Sequence, residues 1–266
     1  MRDHTASRRH ANLSHLLTVG LLATGVALAG LTGCATRPAS TATASADAGA
    51  KDPRRASPDA ALAALRAGNE RFIAGGSSIS ANAKQRVAAT AAGQYPVAAV
   101  FGCADSRTPP ELIFDLGVGE VFTCRVAGVA SGVNDVASLE YANAVLGVPL
   151  IVVMGHTECG AMKAAIADKP LPGSLPKLAD QIRPAVAQAR KANPGMDDHA
   201  LLDPATRAQV MAEIQRLLAT SPVLRESVSA GKLKIVGAIY DLKSGGVTWL
   251  GEHPQQAVVL AAPIQR

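Results

Sequence analysis

From Ser57 onward the chain alternates between two hydrophobic rhythms. Ser57-Pro58 opens a stretch in which Leu62, Leu65, Phe72 and Ile73 form an apolar stripe, and Gly75-Gly76 closes it. Serine as N-cap with proline in the first turn predicts a helix start there. Pro96–Phe101 (PVAAVF) and Val121–Val126 (VFTCRV) are short, continuous apolar runs, and Val148–Met154 (VPLIVVM) is the most apolar of the three. Runs of this length without alternation predict strands covered on both faces, as in a parallel sheet. Helical spacing returns in Asn134–Leu146, through Val136, Leu139, Tyr141 and Val145, and again in Ser174–Ala192 and Ala205–Ala219. Leu233–Leu242 and Val247–Leu250 read as strands joined by the turn Ser244-Gly245-Gly246. Strands alternating with helices predict an α/β fold, a mainly parallel central sheet flanked by helices, forming one domain from residue 57 to about 262.

Upstream of Ser57 neither rhythm is present. Arg2, Arg8 and Arg9 precede an uncharged, mostly apolar run from Leu16 to Leu31, followed by small residues. That order predicts an export signal over residues 1–33. The run is short for a spanning helix, which needs about 20 apolar residues. It ends at Leu31-Thr32-Gly33-Cys34, which resembles a bacterial lipobox. The resemblance implies lipidation of Cys34 and a membrane-anchored lipoprotein facing the periplasm or cell exterior; the alternative is an ordinary signal peptide and a soluble periplasmic protein. Ser7-Arg8-Arg9 hints at twin-arginine export, which His10-Ala11-Asn12 continues poorly. Residues 34–56, rich in Ala, Thr and Ser with Pro38 and Pro53, predict a flexible tether without secondary structure.

Composition narrows the function. Of 266 residues, 48% are hydrophobic and 18% charged, enough apolar mass for a large core and too little charge for bulk disorder. Four cysteines are too few for a disulfide scaffold. The net charge of +5 is modest, partly N-terminal, and no basic run with interleaved aromatics occurs, so no nucleic-acid partner is expected.

The chemistry sits at two strand exits. His156-Thr157-Glu158-Cys159-Gly160 follows the most apolar strand, and Cys103-Ala104-Asp105-Ser106-Arg107 follows PVAAVF. Ligand sites of α/β sheets lie at the carboxyl ends of strands, and two neighbouring parallel strands would bring Cys103, His156 and Cys159 together. Thiolate and imidazole suit zinc, and three protein ligands leave a fourth position open, as in catalytic sites. Either half alone has a plain structural reading: a buried cysteine beside a satisfied histidine, or a surface Asp–Arg pair at a turn. Both together, each at the end of an apolar strand, argue for a metal centre. Cys124 reads as core, and His199 and His253 as exposed loop residues.

The pair CADSR and HTECG resembles the β-class carbonic anhydrases. Further matches are Leu65-x-x-Gly68-Asn69-x-x-Phe72, Gln94-x-Pro96, Pro110-Glu111, Arg125-x-Ala127-Gly128, Ser138-x-Glu140-Tyr141-Ala142, Ser221-Pro222 and Gly237-Ala238-x-Tyr240-Asp241, over residues 57–250. The resemblance implies one zinc ion per subunit on Cys103, His156 and Cys159, and reversible hydration of carbon dioxide to bicarbonate by hydroxide formed at the zinc. It implies Asp105 as the hydrogen-bond acceptor that orients the nucleophile, with Arg107 holding Asp105 ionised and off the metal. It implies Gln94 as the substrate-orienting glutamine, acting across a subunit interface, and hence a homodimer or tetramer. Phe122 and Tyr141 match apolar and aromatic lining positions, with core packing as the alternative, and Gly160 matches a position where backbone approaches substrate. Val129 departs from the family's usual Asn. The only tryptophan, Trp249, lies near the C-terminus, so the tryptophan-containing bicarbonate site of some bacterial relatives is expected to be absent. Competing readings are a carbon disulfide or carbonyl sulfide hydrolase on the same scaffold, and a non-catalytic zinc-binding lipoprotein module. The second would not need Asp105, Arg107 and Gln94.

Overall fold

A computed structural model describes residues 51–77 and 79–265, which belong to one compact unit. The predicted signal, Cys34 and most of the predicted tether lie outside the described residues. Five strands form one sheet in the order β2-β1-β3-β4-β5: β1 Ala98–Gly102, β2 Val121–Arg125, β3 Leu150–His156, β4 Lys234–Tyr240 and β5 Val247–Gly251. The first four are mutually parallel, and β5 returns antiparallel to β4 after the Ser244-Gly245-Gly246 turn.

Every residue of β1 and β3 is buried, which is why both read as unbroken apolar runs. Side chains alternate between two apolar clusters, one on each face. Ala99, Phe101, Ile151 and Val153 pack on one side, and Ala98, Val100, Leu150, Val152 and Met154 on the other. Each large side chain so buried contributes roughly 1.5–3 kcal/mol.

The described helices are α1 Pro58–Ile73, α2 Ile79–Thr90, α3 Pro110–Ile113, α4 Val133–Ala144, α5 Gly160–Ala167, α6 Leu175–Ala192, α7 Leu202–Thr220, α8 Pro222–Ser229 and α9 Gln256–Ala261. Helix α1 starts as the sequence predicts: the Ser57 hydroxyl accepts from the Ala60 amide at 3.1 Å, with Pro58 in the first turn. Its Gly68 is required by close approach, since a Cβ there would lie 1.9 Å from the Phe114 carbonyl oxygen. Next to it, buried Asn69 donates to the Ile113 and Gly245 carbonyls and accepts from the Val247 amide, fastening α1 to the β4–β5 hairpin.

Two sequence expectations change. Residues 53–55, expected within a structureless tether, form a 3-10 turn capped by Asp52. Arg54 reaches Glu120 at 2.5 Å and Arg55 donates to the Leu146 carbonyl at 2.5 Å, so the folded domain begins by Asp52. A proline and two arginines give no hydrophobic period, and their distant partners are invisible locally. His253, expected exposed, is 8% exposed, and its Nδ1 accepts from the Gln255 amide. Burial holds its imidazole below the ordinary pKa. His199 is exposed, and no described helix is long and apolar enough to cross a membrane.

Candidate metal centre

Strand β1 ends at Gly102, so Cys103 emerges from its carboxyl end, and His156 is the last residue of the neighbouring strand β3. Glu158 adopts a left-handed backbone (φ 59°), turning the chain so that Cys159 caps α5. Strain of this kind, of order 1–3 kcal/mol, concentrates at functional sites. The result is one buried cluster: a ligand atom from each of Cys103, His156 and Cys159 lies within 4.8 Å of the others.

Each ligand is prepared for a cation. His156 Nδ1 lies 2.8 Å from the Thr157 carbonyl, and donation there directs the Nε2 lone pair into the cluster. That Nε2 is buried and without a hydrogen-bond partner among the described residues. Leaving a buried nitrogen unsatisfied costs roughly 1–3 kcal/mol, a cost that a bound metal removes. The Cys103 thiol is held well below its ordinary pKa, first by a hydrogen bond from Cys159, then by the amides of Gly128 and Asp105, against burial. Cys159 is correspondingly pushed up by its contact with Cys103 and by burial, opposed by the Met162 and Ala161 amides of α5. Two sulfurs and an orphaned imidazole nitrogen are a donor set that fits zinc, whose bonds to such ligands run about 2.0–2.3 Å.

Asp105 stands beside the cluster, its Oδ2 3.9 Å from His156 Nε2. Arg107 grips both oxygens, Nε to Oδ1 at 2.9 Å and Nη2 to Oδ2 at 2.7 Å, and its own amide adds a third bond to Oδ1 at 3.0 Å. This guanidinium holds the Asp105 carboxyl well below the usual carboxylate range. The carboxylate is ionised at neutral pH and held by the arginine next to the ligand cluster.

Other expected site residues lie elsewhere in this chain. Gln94 is exposed in the loop before β1, at the opposite end of the strand from Cys103. Five strand residues at about 3.3 Å each separate the two ends by roughly 16 Å. Phe122, half-buried on the edge strand β2, pairs with Tyr141 of α4 at 6.3 Å between ring centroids, and Tyr141 is 47% exposed, not core. Gly160 opens α5, and a Cβ there would meet nothing within 4 Å in this chain.

The structure adds residues to which the sequence assigned no role. Arg125, last in β2, donates to the carbonyls of Cys103 (2.8 Å) and Asp105 (2.5 Å), bracing the loop that carries both. Thr108 donates to the same two carbonyls at 3.2 and 3.0 Å. Gly128 donates its amide to Cys103 Sγ at 3.4 Å. Gly128 has φ 69°, a backbone that favours glycine, and a Cβ there would crowd Ile182 Cδ1 and Ala161 Cβ at 2.5 and 3.0 Å. The run Arg125-x-Ala127-Gly128 carried this signal, but only the β1–β2 register turns it into contacts with Cys103.

A parallel α/β sheet with a Cys–His–Cys cluster at the exits of two adjacent strands, and an Asp–Arg pair alongside, defines a metalloprotein with an enzyme-like site. Comparison with known proteins makes this specific. The carbonic anhydrase family model matches residues 98–247. Carbonic anhydrase 2 of Mycobacterium tuberculosis is 41% identical over 192 residues, covering 71% of this chain and 90% of that protein. Among solved structures, a β-carbonic anhydrase of Coccomyxa in complex with acetazolamide superposes with a TM-score of 0.61 at 26% identity, covering 70% of this chain and 88% of that one. One of two tetrameric β-carbonic anhydrases from Sordaria macrospora superposes with a TM-score of 0.57 at 27% identity, covering 68% and 98%. The chain belongs to the β-class carbonic anhydrase family.

Proposed function

We propose that this chain is a zinc-dependent carbonic anhydrase, a lyase that interconverts carbon dioxide and bicarbonate. The observation that carries the reading is the buried Cys103–His156–Cys159 cluster, with its orphaned His156 Nε2, beside an arginine-clamped Asp105. Zinc held by these three residues supplies Lewis acidity that makes a water molecule ionisable near neutral pH. The chain's own groups do the rest. Asp105, ionised through Arg107, accepts a hydrogen bond from the nucleophile and so aims its lone pair at the substrate carbon. The arginine fork also holds Asp105 back from the ligand cluster, which would leave a metal held there open to water. Carbon dioxide is small and apolar, which suits the apolar hollow lined by Ala127, Gly160, Ala161, Leu175 and Ile182 next to Cys159.

Gln94 is proposed to orient substrate in the site of a neighbouring subunit. Its place at the far end of β1 supports that reading, as does the tetrameric assembly named for the Sordaria relatives. Phe122 and Tyr141 would line the pocket from the same interface, and Gly160 would admit substrate beside the ligands.

The test is zinc analysis with stopped-flow carbon dioxide hydration on the full chain. One zinc per chain and rapid hydration are expected. Asp105→Asn should keep the zinc and lose about 10- to 100-fold in turnover, the range typical of groups that orient metal-site ligands. Zinc bound without hydration would leave only a metal-binding module.

Export and lipidation at Cys34 are proposed from the basic start, apolar run and lipobox-like residues of the N-terminus. Membrane fractionation checks this. The full chain should sediment with membranes, and Cys34→Ala should move it to the soluble fraction.

A further inference from the structure

The Gly128 amide that meets Cys103 sits in an improbable piece of backbone. Gly128 (φ 69°) and Val129 (φ 55°) are consecutive left-handed residues. For the β-branched valine that conformation costs roughly 1–2 kcal/mol, so the segment needs outside restraint. Helix α7 supplies it. Gln209 Nε2 donates to the Val129 carbonyl at 3.3 Å and to Glu213 Oε1 at 3.1 Å. Glu213 Oε2 in turn accepts from the Ser131 hydroxyl at 2.5 Å and the Ser131 amide at 3.2 Å. Ser131, Gln209 and Glu213 are 0%, 2% and 3% exposed. No salt bridge reaches Glu213 among the described residues. Burial pushes its carboxyl above the ordinary pKa, and the Ser131 donors pull it back. A hydrophobic side chain would fill this space at lower cost, so the carboxylate has a use that volume does not explain.

We propose that Glu213 is a positioning residue for the metal centre: with Gln209 it pins the Val129–Ser131 backbone so that the Gly128 N–H stays on the Cys103 sulfur. Two thiolates donate more negative charge than imidazoles would, which weakens a bound metal as a Lewis acid. A hydrogen bond to one sulfur withdraws part of that charge. The α7 carboxylate therefore tunes the centre through one loop without touching metal or substrate. The consequence for turnover rests on the carbonic anhydrase reading; the effect on the sulfur does not.

The test substitutes Glu213→Gln in the full chain and loads it with cobalt(II) in place of zinc. Glutamine keeps the volume but sets an NH2 group against either the Gln209 amide or the Ser131 donors, breaking one half of the clamp. Cobalt content should equal that of the parent. The thiolate-to-cobalt charge-transfer absorption should move to longer wavelength, because a sulfur without its N–H donor releases an electron more readily. Zinc-loaded Glu213→Gln should lose about 10-fold in hydration rate. Ser131→Ala, which keeps the carboxylate and the backbone bond, should shift the band less, in the same direction, and decides the matter if Glu213→Gln fails to fold. An unshifted band in the folded variants overturns the proposal whatever their activity. A shifted band in the variants, with a parent protein that hydrates no carbon dioxide, would uphold the clamp and refute the function.

Discussion

Val129 occupies a backbone conformation that suits glycine or asparagine, yet is 3% exposed and packs in the core. Two opposing terms meet there. Val129→Gly forfeits about 1.5–3 kcal/mol of burial and relieves roughly 1–2 kcal/mol of strain. Val152 is equally buried on β3 without such strain, so glycine there relieves nothing, while the backbone-entropy cost of glycine is common to both sites. In urea unfolding, Val152→Gly should therefore cost about 1–2 kcal/mol more than Val129→Gly, the strain released at residue 129; equal costs would mean that the left-handed valine is unstrained. Cys124 offers a second check at this scale. It is buried, bonds Asp135 Oδ1 at 3.4 Å, and burial pushes its thiol up to about 12. A raised folded-state value means the stabilisation is complete below the unfolded thiol's value near 8.5 and is lost as pH rises towards 12. The parent should lose up to about 1.4 kcal/mol per pH unit across that window from this group. Cys124→Ala should show a shallower decline when urea stability is compared at pH 8 and 10.5.

Among the elements, the segment around Arg54 and Arg55 shows how far local sequence can mislead. Arg54 bonds Asp52 and Glu120, and Arg55 stacks over Tyr95 at 5.6 Å while capping the Leu146 carbonyl. Arg54 and Glu120 side chains are 37% and 13% exposed, a partly screened pair worth no more than about 1 kcal/mol. The half-buried bond of Arg55 adds a similar amount. Arg54→Ala with Arg55→Ala should therefore lower unfolding free energy by about 1–3 kcal/mol, whereas a true tether would tolerate both without change. Strands β1, β3 and β4 and helices α1, α6 and α7 were legible because burial imposes a period or an unbroken apolar run over several turns. Helices α3, α5, α8 and α9 span eight residues or fewer, too short for a period to declare itself. The ligands were legible for a local reason: two four- or five-residue motifs sit at strand ends, where the topology alone joins them. Arg125, Gly128 and Glu213 were not, because their role depends on register and on a helix that follows the ligand Cys103 by about a hundred residues.

At the scale of the molecule, metal and assembly are the two couplings to test. On the proposed zinc reading, chelation leaves His156 Nε2 buried without a hydrogen-bond partner and two cysteine sulfurs in contact, so it should lower the melting temperature reversibly. A ligand at 1,000 times its Kd stabilises by about 4 kcal/mol. Alkylation should then reach Cys103 and Cys159, which resist it when metal is bound. On the proposed role of Gln94, assembly bears on catalysis, since Gln94 and Cys103 stand at opposite ends of β1. Helix α4 carries an exposed stripe at four-residue spacing: Val133 (80% exposed), Ala137, Tyr141 (47%) and, just past its end, Val145 (64%). Beside it, β2 is an edge strand of the sheet. A second copy covering that stripe would bury apolar surface of the kind that distinguishes homodimer interfaces. Val133→Asp with Val145→Asp should then dissociate the assembly in sedimentation velocity and abolish hydration while each chain keeps its zinc. Complementation decides whether Gln94 crosses the interface. Gln94→Ala chains keep a complete metal centre, and Asp105→Asn chains keep their glutamine. Unfolded together and refolded, the two weakened variants should form mixed assemblies in which, on the proposed role of Gln94, one site receives every group it needs, so activity should rise well above the average of the two. A mixture no more active than the average of its components would place Gln94 in the service of its own subunit.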